Sequence, residues 1–155
     1  MLVGTGALIG AARGAPTRTT RCGTSTAQRL SQIFGIVFVI VGLAGFLITG
    51  ANMDAAMATA PTLLGMFPID AVHNVVHLLF GAWGILGART FGGARNYLFG
   101  AGVIYLVLTI CGVAAPTGFG LVPIGGADVG LHAILGVALL GAGLGTARGV
   151  EAAAA

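Results

Sequence analysis

The sequence predicts an all-α membrane protein: a bundle of four transmembrane helices, built from two tandem two-helix repeats, with both termini cytoplasmic. Three observations lead there. Hydrophobic residues make up 57% of the 155 residues and charged residues only 7%, against about 45–50% and about 25% in soluble domains. So few charges cannot cover a water-facing surface. Four apolar stretches of near-membrane length are separated by short polar connections. All seven basic residues are arginines, and none lies in the middle of an apolar stretch.

Residues 1–27 carry Arg13, Arg18 and Arg21 among Gly, Ala and Thr without helical apolar periodicity, and read as a disordered cytoplasmic tail. The opening MLVGTGALIGAA lacks the positive region that precedes the apolar core of a signal peptide. A start nearer Thr26 fits the pattern equally well. The membrane domain covers 28–148, with helices expected at about 30–48, 71–88, 97–115 and 129–147, and a short C-terminal tail at 149–155. Each helix is close to the ~20 residues that cross a ~30 Å hydrocarbon core. In lipid the backbone must satisfy its own hydrogen bonds, so segments of this composition are helices.

The connections set the orientation. Arg29 precedes the first helix, Arg89 and Arg95 flank the second connection, and Arg148 follows the fourth helix. The other two loops, Thr49–Asp70 and Pro116–Asp128, hold Asp54, Asp70 and Asp128 and no basic residue. Positive charge stays inside, so these two loops face outward. Cys22 and Cys111 then lie on opposite sides of the membrane, and neither has metal-type spacing. The net charge of +3 comes from dispersed arginines, so no nucleic-acid partner is expected. The Ala/Gly/Arg bias and the lack of lysine point to a GC-rich bacterial source, hence to the cytoplasmic (inner) membrane.

The two halves resemble each other. LGMFPIDAVHNVVHLLFG (Leu64–Gly81) aligns with GFGLVPIGGADVGLHAILG (Gly118–Gly136), pairing Pro68 with Pro123, His77 with His132, Gly81 with Gly136 and His73 with Asp128. Upstream, Gly35 and Phe38 match Gly102 and Tyr105, and Gly45 matches Gly112. A repeat of two helices keeps the same orientation in the membrane, so equivalent residues share a depth. Gly81, Gly84 and Gly136 are expected to allow close helix packing.

Asp70 and Asp128 stand at the starts of the second and fourth helices, where a carboxylate caps free N–H groups and favours the positive end of the dipole. His73 and His77 are four residues apart and share a face, with Asn74 beside them; Asp128 and His132 repeat that spacing. His73, Asn74, His77, Asp128 and His132 are therefore the candidate polar cluster. It reads first as an interhelical hydrogen-bond network. Three sharper readings stay open: a zinc-type site from His73, His77, Asp128 and His132, haem ligation by His77 and His132, and proton handling by histidine. The first reading needs no cofactor. His77 and His132 are expected to face the interior, with His73 and Asp128 nearer the outer surface. Trp83, Tyr97 and Tyr105 read as packing or interface residues.

FGIVFVIVGLAGFL (Phe34–Leu47), PIDAVHNVVHLLFG (Pro68–Gly81), the arginine-flanked short loop and LVPIGGADVGLH (Leu121–His132) resemble an uncharacterised bacterial family of small four-helix integral membrane proteins, a domain of unknown function with an HNxxHLLFG motif. The resemblance covers roughly Leu30 to Arg148. The family pattern usually carries Asn-Pro before HNxxH and Asn-Gly-Ala-Asp-Asn in the second half. Here these are Asp70-Ala71 and Gly125-Gly126-Ala127-Asp128-Val129, so binding that relies on those asparagines would be altered. The resemblance implies a fold and a location but no activity.

There is no phosphate-binding loop, nucleophile elbow, HExxH pair or membrane-embedded carboxylate pair. The expectation is a non-enzymatic accessory or scaffold subunit, in contact with lipid and with a membrane-protein partner or a second copy of itself. The alternative is a small-molecule, proton or metal handling protein that uses the histidine cluster. Reporter fusions at Asp54 and Gly118 are expected to be active outside, and fusions at Arg95 and Arg148 inside. Arg95 outside would contradict the charge argument.

Overall fold

The computed structural model describes residues 24–154, with side chains up to residue 146. Most of the expected tail over 1–27 lies outside the described residues, together with Cys22. Four α-helices follow one another: α1 (Thr26–Thr49), α2 (Ala71–Gly87), α3 (Phe91–Ala114) and α4 (Ala127–Ala154). α1, α3 and the Ala127–Thr146 part of α4 are long and apolar enough to cross a membrane; α2 is apolar and shorter.

Each start has a local cause. Ser25 caps α1 in a reciprocal box with Gln28, and Gln28 Nε2 also donates to the Ala88 carbonyl at 3.0 Å, tying the start of α1 to the end of α2. Asp70 caps α2 by accepting from the His73 backbone N–H at 2.7 Å. Thr90 caps α3 by accepting from the Gly93 N–H at 3.0 Å.

Three boundaries differ from the sequence reading. α1 begins at Thr26, behind its Ser25 cap, rather than near 30, so the last residues of the expected tail are helical. α3 begins at Phe91 rather than near 97, so Arg95 lies on the helix and the second connection shrinks to three residues, Ala88 to Thr90. The Thr90 cap starts the helix ahead of the most apolar stretch. α4 runs to Ala154 and takes up residues 149–154 of the expected tail, since alanine has the highest helix propensity. The first outer loop also contains a two-stranded antiparallel ribbon, β1 (Thr62–Leu63) against β2 (Phe67–Pro68), turned by Leu64 and Gly65 with φ of 54° and 71°. The second outer loop carries a short 3-10 turn at Gly118–Gly120.

α1 packs chiefly on α2 and α3 on α4, while α1 touches α4 least. The buried cluster is small: Ala27, Phe38, Ala94, Tyr97, Leu98, Ala101, Tyr105 and Leu139. Large apolar side chains such as Ile33, Ile40, Leu47, Ile110 and Ile134 point outward, as they do where lipid is the solvent. Lipid gives no hydrophobic drive for helices to associate, so contact rests on close packing and hydrogen bonds. Ser31 Oγ donates to the Gly84 carbonyl across the α1–α2 contact at 2.7 Å.

The close contacts recur in matched positions, shifted by 67 residues between α1 and α3 (35 to 102) and by 55 between α2 and α4 (81 to 136). A Cβ on Gly35 would lie 2.7 Å from the Ile85 backbone nitrogen, and one on Gly102 would lie 2.5 Å from that of Leu140. A Cβ on Gly81 would meet the Val39 nitrogen at 2.9 Å, and one on Gly136 the Leu106 nitrogen at 3.1 Å. Phe38 lies against His77 with ring centroids 5.6 Å apart, and Tyr105 against His132 at 5.1 Å. Phe38 and Tyr105 stack on each other between the two pairs, 5.6 Å apart.

Because the atoms facing Gly35 are backbone, they cannot rotate away. Gly35→Ala is expected to destabilise the bundle by about 1–3 kcal/mol. Gly92→Ala, which meets open space, should be neutral or stabilising by up to about 1 kcal/mol. Unfolding in mild detergent measures both, and equal effects would contradict the packing argument.

Candidate functional site

The polar residues gather where the outer loops fold over the starts of α2 and α4. With the Asp70 cap fixing the first turn of α2, His73 and His77 project one above the other, and their rings stack at 4.7 Å with an interplanar angle of 7°. His77 Nδ1 lies 3.0 Å from the His73 carbonyl oxygen and His73 Nδ1 lies 3.2 Å from that of Pro123. A carbonyl only accepts, so each Nδ1 carries the proton and each Nε2 is left as an acceptor. From α4, His132 approaches His73 at 6.5 Å between ring centroids. Asp128 Oδ2 stands 3.5 Å from His132 Nδ1. That is too long for a firm hydrogen bond, and both atoms are buried without a partner.

Of the expected cluster, His73, His77, Asp128 and His132 come together and Asn74 does not. Asn74 Nδ2 donates to Thr49 Oγ1 at 2.8 Å on the α1 side of α2. There its side chain fills the space that a Cβ on Gly45 would take. His73 and Asp128 stand one turn nearer the starts of α2 and α4 than His77 and His132, and they are covered there, at 5% and 2% exposed, because the outer loops fold over the helix ends and the Pro123 carbonyl reaches down to His73. Asp128 sits in the first turn of α4, with one oxygen toward His132.

Among the described residues, no three His, Cys, Asp or Glu side chains converge as they would around a metal ion. Parallel stacked rings place their lone pairs side by side, and both Nδ1 atoms already serve carbonyls. A haem held by His77 and His132 would have to share its place with His73, which lies within ring-stacking distance of both.

The cluster lines cavities. One of about 260 Å³ lies beneath the β1–β2 ribbon, walled by Val41, Phe67, Ile69, His73, His77, Asp128 and Leu131 among others. A second of about 250 Å³ runs deeper between α1 and α4 along Phe34, Val37, Phe38 and Leu135. The two share Val41, His77 and Leu131, so they adjoin. A third, of about 80 Å³, lies between α2 and α3. Its walls stand at the matched positions: Tyr105 for Phe38, Leu108 for Val41, Val76 for Leu131, Phe80 for Leu135, His132 for His77, and Val122 and Ile124 for Phe67 and Ile69. Tyr105 and Phe80 are bulkier than their counterparts, and α2 packs more fully on α3 than α1 does on α4. The third cavity is smaller for both reasons.

Sequence reasoning missed Phe38, Val41, Leu131, Tyr105 and the Pro123 carbonyl as parts of the site. Phe38 and Tyr105 were within reach, since the repeat alignment pairs them and sets each one helix away from an aligned histidine. Val41 and Leu131 carry no signal beyond apolarity. Ser31, Thr49 and Gln28, which join α1 to α2, are polar residues near helix ends with ordinary cap or interface readings.

Asp70 is fully buried, and burial raises its pKa above the ordinary carboxylate value. The folded state therefore binds this proton more tightly than the unfolded one, and folding gains as pH falls from above the raised value toward about 3.8. Asp70→Asn keeps an acceptor for the His73 N–H and removes the titration. Its stability relative to wild type is expected to be greatest near neutral pH and to fall on acidification, as read by unfolding between pH 7 and 4. A difference independent of pH would contradict the assignment.

Neither the curated proteins nor the solved structures contain a match to the chain. A family model does match, over residues 28–145, which takes in the starts of α2, α3 and α4, both outer loops and the histidine cluster. The chain belongs to that family, the domain of unknown function DUF4383.

Proposed function

We propose that this chain is a bacterial inner-membrane protein, with both termini cytoplasmic, that binds a small and largely apolar molecule in the cleft between α1 and α4 without transforming it. The observation that carries this is the pair of adjoining cavities that meet at His77. Ligand sites are typically apolar hollows with a few fixed polar groups, and the α1–α4 gap has that composition. Polar side chains within membrane helices raise the prior for function. Here they line two adjoining hollows of the bundle rather than serving only in interhelical hydrogen bonds.

The matched contacts of the two helix pairs support a duplicated architecture, in which one of two equivalent gaps stays open and the other is filled by Phe80 and Tyr105. A second reading, as an accessory or scaffold subunit, has one observation in its favour. The outer face of α4 has a shallow groove of about 490 Å³ along Ala133, Ile134, Val137 and Ala138, and Gly130 and Gly141 on that helix meet nothing within 4 Å.

Protein extracted from native membranes in mild detergent and analysed by native mass spectrometry is expected to carry one small apolar molecule per chain. Val41→Trp, which fills the shared wall of the two cavities, is expected to lower that occupancy at least tenfold while the chain stays folded. Full occupancy in Val41→Trp would overturn the cleft as the site. A stable protein partner with no small molecule would favour the second reading.

A further inference from the structure

We infer that the molecule held in this cleft is a lipophilic amine, bound as its ammonium ion by Asp128. The inference rests on the cleft reading above and adds the chemistry of the head group. Asp128 lines the outer cavity, is 2% exposed, and has Oδ2 without a hydrogen-bond partner. A buried carboxylate without compensation is costly, and the group that relieves it most is a cation with N–H donors.

The neighbours of Asp128 make the same selection. His73 and His77 use Nδ1–H on the carbonyls of Pro123 and His73, so they offer the cleft only Nε2 lone pairs. His132, 3.5 Å from Asp128, has a single N–H when neutral and cannot satisfy a carboxylate alone. The site is rich in acceptors and poor in donors. A carboxylate or phosphate head would find repulsion there, and a carbonyl head few partners. An ammonium ion brings up to three donors.

Charge placement agrees. Asp54, Asp70 and Asp128 lie at the end of the bundle where the cleft opens, whereas Arg29, Arg89 and Arg95 lie at the opposite ends of the helices. Among the described residues, no cation competes for Asp128. Deeper in the cleft, Phe34, Phe38 and Leu135 offer an apolar wall for the tail, and an aromatic face close to a desolvated cation adds to the attraction.

The test compares n-decylamine, n-decanol and n-decanoate, which share an apolar tail, against the full chain in nanodiscs of zwitterionic lipid, by equilibrium binding and thermal shift. Decylamine is expected to bind at least tenfold more tightly than decanol, and decanoate more weakly than either. Asp128→Asn should bring decylamine down to the level of decanol. Val41→Trp should abolish binding of both. The wild-type ranking decides the matter even where Asp128→Asn fails to fold. Decanol bound as tightly as decylamine, or decanoate preferred, would overturn the ammonium assignment and leave the cleft reading standing. Binding of none of the three, or equal binding to wild type and Val41→Trp, would overturn both.

Discussion

Backbone contact at glycine is what the rest of this structure depends on. Where Gly35 meets Gly81, Gly84 and Ile85, and where Gly102 meets Leu140, a single added carbon has no room. In water, apolar faces would drive these helices together whatever their exact shape. In lipid, apolar side chains are equally content facing outward, so association needs surfaces that approach more closely than lipid can. Glycine supplies such surfaces and brings carbonyl oxygens within reach of hydroxyls, as at Ser31 and Gly84. The tightness of the α1–α2 and α3–α4 pairs has a consequence between the pairs. Among the described residues, α1 and α4 share no comparable glycine contact, so they stand apart, and the cleft is the space that remains.

The second constraint is the roofing of the outer end. Two loops free of basic residues fold over the starts of α2 and α4, each through a buried proline, Pro68 or Pro123. They exclude solvent from His73, Asp128 and His132 and supply the carbonyl that holds the His73 ring. A polar cluster that would be hydrated at an open helix end is thereby enclosed, and each remaining lone pair must find its partner inside the cleft.

The differences between matched positions carry as much meaning as the likenesses. His73 stands where the other half has Asp128, and Asn74 where it has Val129. Asn74 bonds Thr49 and draws α1 to α2 at their outer ends, whereas Val129 only packs against Gly112. Tyr105 and Phe80 fill one gap, while Phe38 and Leu135 leave the other open. In the proposed duplication, these exchanges turn two equivalent interfaces into one packed seam and one open cleft.

The sequence by itself determined the four helices, their approximate limits, the capping position of Asp70 and the common helix face of His73 and His77. These follow from local chemistry: hydropathy over membrane length, a carboxylate before a helix, and a spacing of four residues. Only the tertiary structure decided that Asn74 turns away from its neighbouring histidines, that His73 and Asp128 are covered, and that Val41 and Leu131 wall a cleft. Those outcomes depend on how closely pairs of helices approach and on how loops of unequal length settle over their ends. That is a matter of contact between residues distant in the chain, 25 positions apart for Asn74 and Thr49 and 50 for His73 and Pro123, and an apolar residue carries no mark of whether it faces lipid, a neighbouring helix or a cavity.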